Sequence, residues 1–126
     1  MRRLKFRVWD KTKSEMFYPT QSVDWTVGIN GEVFYHCGSS IKENVIVQQY
    51  TGLLDSKGID IYEGDYLQFA YTDDGEVFTG EVQYSEKFAC FIVVVGKAFE
   101  TFNDLADYAI SFKIVGNIKN KTKSNE

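Results

Sequence analysis

Apolar and polar residues alternate along most of this chain with the period of two that marks half-buried β-strands. Leu4, Phe6 and Val8 alternate with Lys5, Arg7 and Trp9, and the polar run Asp10-Lys11-Thr12-Lys13-Ser14 separates them from Met16-Phe17-Tyr18, a pattern that predicts a hairpin. After a break at residues 19–22, segments 24–29 and 32–37 flank Asn30-Gly31, a dipeptide that tolerates the positive φ angles of a two-residue type I′ turn. Gly38-Ser39-Ser40 releases the chain into another apolar stretch, residues 43–50, which Thr51-Gly52 is expected to end. The pattern leaves open whether residues 41–44 make a helical turn.

Two corners follow. Asp55-Ser56-Lys57-Gly58 reads as a β-turn with glycine where a left-handed backbone is needed, and Glu63-Gly64-Asp65 as a second tight turn into a strand at Tyr66. Leu67, Phe69 and Tyr71 then share a face, Asp73-Asp74-Gly75 turns the chain, and Phe78, Val82 and Tyr84 oppose Thr79, Glu81 and Gln83. Gly80 falls on the apolar face, where a missing side chain allows a bulge or a sharp bend. Residues 88–95 are continuously apolar, as in a central strand. Phe99, Phe102, Leu105, Ala106 and Ala109 recur at helical spacing with Thr101 or Asn103 as cap, and Ile110, Phe112 and Ile114 return to period two.

The expected fold class is therefore mainly all-β. A β-hairpin unit over residues 1–60, packed on or swapped with a neighbour, precedes an SH3-like barrel over residues 61–118 with one short helix, and residues 119–126 form a disordered basic tail.

Composition narrows the function classes. A chain of 126 residues with 44% hydrophobic and 16% aromatic residues has ample material for a core. The opening residues lack the apolar core of a secretion signal, and the longest apolar run, residues 89–95, is too short to span a bilayer. Two cysteines, Cys37 and Cys90, are too few for a disulfide framework and suit a reducing compartment. A cytoplasmic protein, with no membrane association, is the expectation.

The net charge of −4 is uneven. Residues 1–13 carry six basic side chains against one acidic, residues 113–126 four against one, and the intervening body is left at −12. Such a body repels a phosphate backbone, whereas the basic ends suit nucleic acid or the acidic body of a neighbouring subunit.

The combination of Lys5-Phe6-Arg7-Val8-Trp9-Asp10, Gln49-Tyr50-Thr51-Gly52-Leu53 with Asp55 and Gly58, Ile61-Tyr62-Glu63-Gly64-Asp65, and Ile114-Val115-Gly116-Asn117-Ile118 resembles the YopX family of phage and prophage proteins. The resemblance implies a β-rich homo-oligomer with a C-terminal SH3-like barrel, a bacterial host cytoplasm and a function not established. It implies no catalytic residues. After Asn117-Ile118 this chain reads Lys119-Asn120-Lys121, where the family's pattern has acidic residues and proline.

Catalytic constellations fail simple tests. His36 and Cys37 are adjacent in a strand and project to opposite faces, so they make no nucleophile and base pair. With Cys90 they also lack the close-spaced ligand pair of a zinc site. Asp55, Asp60, Glu63 and Asp65 form a carboxylate cluster that a metal-dependent hydrolase could use, but aspartates in turns hydrogen-bond their own backbone and need no metal to explain them. The expectation is a non-catalytic accessory protein without cofactors, acting as a homo-oligomeric protein-interaction module with a phage or host partner. Its interaction surface is placed on Arg2, Arg3, Lys5, Arg7, Trp9, Trp25, Tyr62 and Tyr66. The alternative is nucleic-acid binding through the basic N-terminal segment and tail, with aromatics stacking on bases.

Overall fold

The computed structural model describes residues 4–18, 25–27, 33–35, 44–102, 104–105, 109 and 111–117. Contacts divide the chain into two compact units, Met1–Tyr50 and Thr51–Glu126.

In the first unit the predicted hairpin forms. Strand β1 (Phe6–Asp10) pairs antiparallel with β2 (Glu15–Phe17), with Trp9 opposite Met16. Asp10 closes the turn by accepting the amides of Thr12 and Lys13 on Oδ1. On its other side β1 pairs with the start of β5 (Val45–Leu54), Arg7 lying opposite Gln48 and Val8 opposite Val47. Among the described residues β5 takes one edge of β1 along its whole length, and β2 takes the other from Val8 to Asp10. Val8 is fully buried against Phe17, Val45 and Val47. Arg7 points the other way yet is only 2% exposed, its Nε donating to Gln48 Oε1 at 2.7 Å.

Strands β3 (Trp25–Val27) and β4 (Val33–Tyr35) pair with Val27 opposite Val33. The two-residue turn expected at Asn30-Gly31 lies outside the described residues, as do His36, Cys37 and residues 41–43.

Strand β5 does not end at Thr51-Gly52 but continues to Leu54. Gly52 takes φ 93° inside the strand, a conformation open to a residue without Cβ, and Thr51 Oγ1 bridges the irregularity by donating to the Ile61 carbonyl and accepting the Leu53 amide. The strand returns in β6 (Asp60–Tyr62) through the predicted turn: the Gly58 amide donates to the Asp55 carbonyl, and Gly58 sits at φ 81°. At the second corner the Asp65 amide donates to the Tyr62 carbonyl, with Gly64 at φ 85°, the geometry of a turn that needs positive φ at its third position.

Five antiparallel strands then build a curled half-barrel in the order β10-β9-β8-β7-β11. They are β7 (Tyr66–Ala70), β8 (Phe78–Ser85), β9 (Cys90–Val95), β10 (Ala98–Thr101) and β11 (Ser111–Gly116). Ile61, Leu67, Phe69, Val82, Val93, Phe102 and Leu105 are its buried core. The register of β7 with β8 is unbroken at Gly80, opposite Leu67. Its missing side chain serves close approach: a Cβ there would lie 2.6 Å from the Val94 carbonyl oxygen and 2.8 Å from Val95 Cγ2.

Two expectations are corrected in this unit. Phe88 and Ala89 belong to the turn before β9 rather than to a strand; Ala89 has φ 54° and the Phe88 amide donates to Ser85 Oγ. Phe99 lies in β10 and not in a helix, because Gly96-Lys97 forms a two-residue turn with Gly96 at φ 60° and sets Ala98 opposite Val95. Helical backbone begins at Phe102, where Thr101 Oγ1 accepts the Asp104 amide as the predicted cap.

Candidate functional site

The aspartates of the two corners are the first candidates for chemistry, and their surroundings define what they do. Asp55 is buried, and its Oδ1 accepts the amides of Lys57 and Ile59, both at 2.9 Å, while Oδ2 accepts the Ile114 amide at 3.2 Å. Burial pushes its pKa up, but these three amides and the nearby Lys57 charge outweigh it and hold the carboxyl below its usual range. Asp65, also buried, accepts the Tyr62 amide on Oδ2 at 2.8 Å, and its backbone carbonyl accepts the Val82 amide. Among the described residues no three His, Cys, Asp or Glu side chains converge as a metal would require.

The expected interaction residues are scattered. Tyr62 and Tyr66 are each 6% exposed and help form the core, so they are not surface anchors. Burial and then the charge of Glu81 raise the Tyr66 pKa. Arg7 is held by Gln48, Lys5 Nζ lies 4.9 Å above the Tyr50 ring, and Trp9 is half-buried. Arg2 and Arg3 lie outside the described residues, and of Trp25 only the backbone is described. Cys90 is half-buried, with its thiol free.

Two exposed aromatic rings meet elsewhere. Phe88 and Phe99, 49% and 44% exposed, meet with ring centroids 5.3 Å apart beside β10, the outermost strand of the sheet. In a two-residue hairpin the pair closing the turn is hydrogen-bonded and the next is not, so Phe99 turns its N–H and C=O away from β9. The opposite edge differs. There the Ser56 amide donates to the Phe112 carbonyl at 2.8 Å, the Phe112 amide donates to Ser56 Oγ, and the Ile114 amide reaches Asp55.

Each edge adjoins a groove. Beside β11 a cavity of about 240 Å³ has Phe69 and Phe112 in its lining with Lys57 and Lys113. Beside β10 a smaller one, about 120 Å³, is lined by Phe69, Tyr71, Phe78, Val95, Phe99 and Glu100. Phe69 and Phe78 stack at 5.6 Å, and Tyr71 stands edge-on to Phe69 at 5.8 Å. The Tyr71 pKa is raised by burial, then by the Glu100 charge, by the hydrogen bond between the two side chains, and by Asp104. The groove at β10 is therefore aromatic in its walls and negative at its rim.

Comparison with known proteins settles the family. The YopX protein family matches residues 5–123. This chain belongs to that family. Among solved structures it is similar to protein EF1440 from Enterococcus faecalis, with 22% identity, all of both chains covered and a TM-score of 0.61. It is also similar to protein yopX from Bacillus subtilis, with 18% identity, 97% of this chain and 98% of that chain covered and a TM-score of 0.64. At these identities the two structures speak for the fold alone. No match was found among curated proteins. Among the described residues no helix is long and apolar enough to cross a membrane.

The β10 edge escaped the sequence reading because edge position is a property of topology. A local signal existed: Gly96-Lys97 between two apolar runs is the glycine-first dipeptide of a tight hairpin.

Proposed function

We propose that this YopX-family chain is a non-catalytic, cytoplasmic protein-interaction module of phage or prophage origin that assembles with copies of itself through the β10 edge. The observation that carries this reading is that edge: backbone groups aimed outward at Phe99, flanked by an exposed aromatic pair. Unpaired edges accept further strands, and exposed rings are the side chains that dominate interface energies. The carboxylates that a hydrolase would need support a structural reading, since Asp55 and Asp65 accept backbone amides at both corners. Nucleic-acid binding is the weaker reading, because Arg7, one of its N-terminal cations, is buried against Gln48. Sedimentation velocity across a concentration series tests the proposal: a mass above that of one chain is the expected result. A monomer at the highest soluble concentration overturns it.

A further inference from the structure

We propose that the aromatic groove beside β10 receives a lysine side chain from the tail of a second copy, residues 119–123, laid as an added strand along the β10 edge. This names the partner segment of the site above and rests on that reading.

Three observations converge. The groove of about 120 Å³ is well below the roughly 300–1,000 Å³ of sites that enclose a whole small molecule, so it suits a single side chain. Its chemistry suits a cation: the rings of Tyr71 and Phe78, backed by the buried Phe69, carry negative quadrupole density on their faces, and Glu100 stands at the rim with Asp104 close enough to act on the Tyr71 hydroxyl. The Glu100 carboxylate, although bonded to Tyr71, keeps further acceptor sites for an ammonium. The loop joining Tyr71 to Phe78 adds Asp73, Asp74 and Glu76, against Lys97 in the β9–β10 turn and Lys87, whose Nζ lies 5.5 Å from the centroid of the Phe88 ring that meets Phe99.

The tail supplies the complement. Lys119, Lys121 and Lys123 recur at period two, so an extended backbone sets all three on one face. Ala98, Phe99 and Glu100 of the groove belong to β10 itself. A strand added there would bond the outward N–H and C=O of Phe99 while its alternate side chains fall beside the groove. Main-chain bonds give such an addition its affinity and side-chain pockets its specificity. The charge split of the sequence, a −12 body with basic ends, is what a contact between copies of this kind requires.

The test compares sedimentation of the full chain, a chain ending at Ile118, and a full-length variant carrying Lys119→Gln, Lys121→Gln and Lys123→Gln. Both altered chains should self-associate at least tenfold more weakly. Glu100→Gln, which removes the charge at nearly constant size, and Phe78→Leu, which keeps an apolar side chain against the core but removes the ring, should each weaken it about threefold, the scale of an exposed charge pair or cation–π contact. In a heteronuclear NMR titration of the chain ending at Ile118, a synthetic peptide of sequence IKNKTKSNE should shift the amides of Tyr71, Phe99 and Glu100 and leave those of Lys57 and Ser111 in place. The same peptide with norleucine for lysine should not. Shifts centred on Lys57 and Ser111, or equal binding of the norleucine peptide, would overturn the groove assignment. Undiminished association without the tail overturns this inference alone, whereas a monomeric full chain overturns the interaction reading with it.

Discussion

At the β11 edge of the five-stranded sheet Asp55 and Ser56 take up the amides of Ile114 and Phe112 and the Phe112 carbonyl, whereas at the β10 edge Phe99 presents its backbone groups outward beside an exposed ring. Both edges belong to the same sheet and both adjoin an aromatic-floored groove, so the contrast isolates what closure requires. A turn that carries one buried carboxylate and one hydroxyl closes an edge without adding a strand. Where the described residues supply no such turn, the edge is open to pairing, the situation that proteins otherwise avoid with charge, bulges or cover.

Removing the closure should have the largest effect. Asp55→Ala leaves the amides of Lys57, Ile59 and Ile114 without their acceptor, and at the usual worth of hydrogen bonds to a charged group it should cost about 3 kcal/mol, measured as a lower midpoint in urea. It should also open the β11 edge and promote disordered aggregation. The same carboxylate gives an acid signature. Its folded pKa lies below its unfolded value of 3.8, so its contribution is fully present above that value and is lost as pH falls through the lower folded pKa. Asp55→Asn should flatten this part of the acid unfolding profile below about pH 4, and a profile unchanged by the substitution would show that Asp55 is not what closes the edge.

A smaller loss is expected from disturbing the curl between the edges. Gly80→Ala would drive a methyl group toward the Val94 carbonyl and the Val93 and Val95 side chains, where the backbone cannot yield as a flexible side chain does. A cost of about 2 kcal/mol in urea unfolding is expected for overpacking of this kind. Ser56→Ala is milder. It removes the acceptor for the Phe112 amide but keeps the backbone bond from Ser56 to the Phe112 carbonyl, and should cost about 1 kcal/mol.

These residues also show how far the sequence was readable. The corners at Gly58 and Gly64 are local chemistry: a glycine at positive φ and an aspartate bonding its own neighbours, and both are visible in a window of a few residues. The β1–β2 and β7–β8 hairpins were legible for the same reason. Phe99 misled because its spacing to Phe102 and Leu105 suits a helix, while the tight turn at Gly96-Lys97 had already committed the chain to a strand. Arg7, Tyr62 and Tyr66 misled in another way. Their types favour a surface, but Gln48, opposite Arg7 and forty-one residues away, makes one burial tolerable, and the corner at Glu63-Gly64 folds the two tyrosines into the interior. Burial settled by such distant partners leaves no mark in a local pattern. The candidate edge was hidden more deeply still, since no residue in β10 announces that the sheet ends there.

The open edge offers the sharpest test with the smallest effect on the folded chain. Phe99 is 44% exposed, so Phe99→Lys removes little buried area, and unfolding should shift by no more than about 0.5 kcal/mol. Its effect on association should be far larger than on stability, because it deletes the ring that meets Phe88 and sets a cation at the edge proposed to receive one. The reverse pattern, with marked destabilisation and unchanged sedimentation, would mean that Phe99 belongs to the core of its own chain. Comparing it with Asp55→Ala in the same two assays then separates the edges: at β11 stability should fall, and at β10 only assembly should, because the first edge is closed from within and the second leaves the Phe99 backbone groups facing outward.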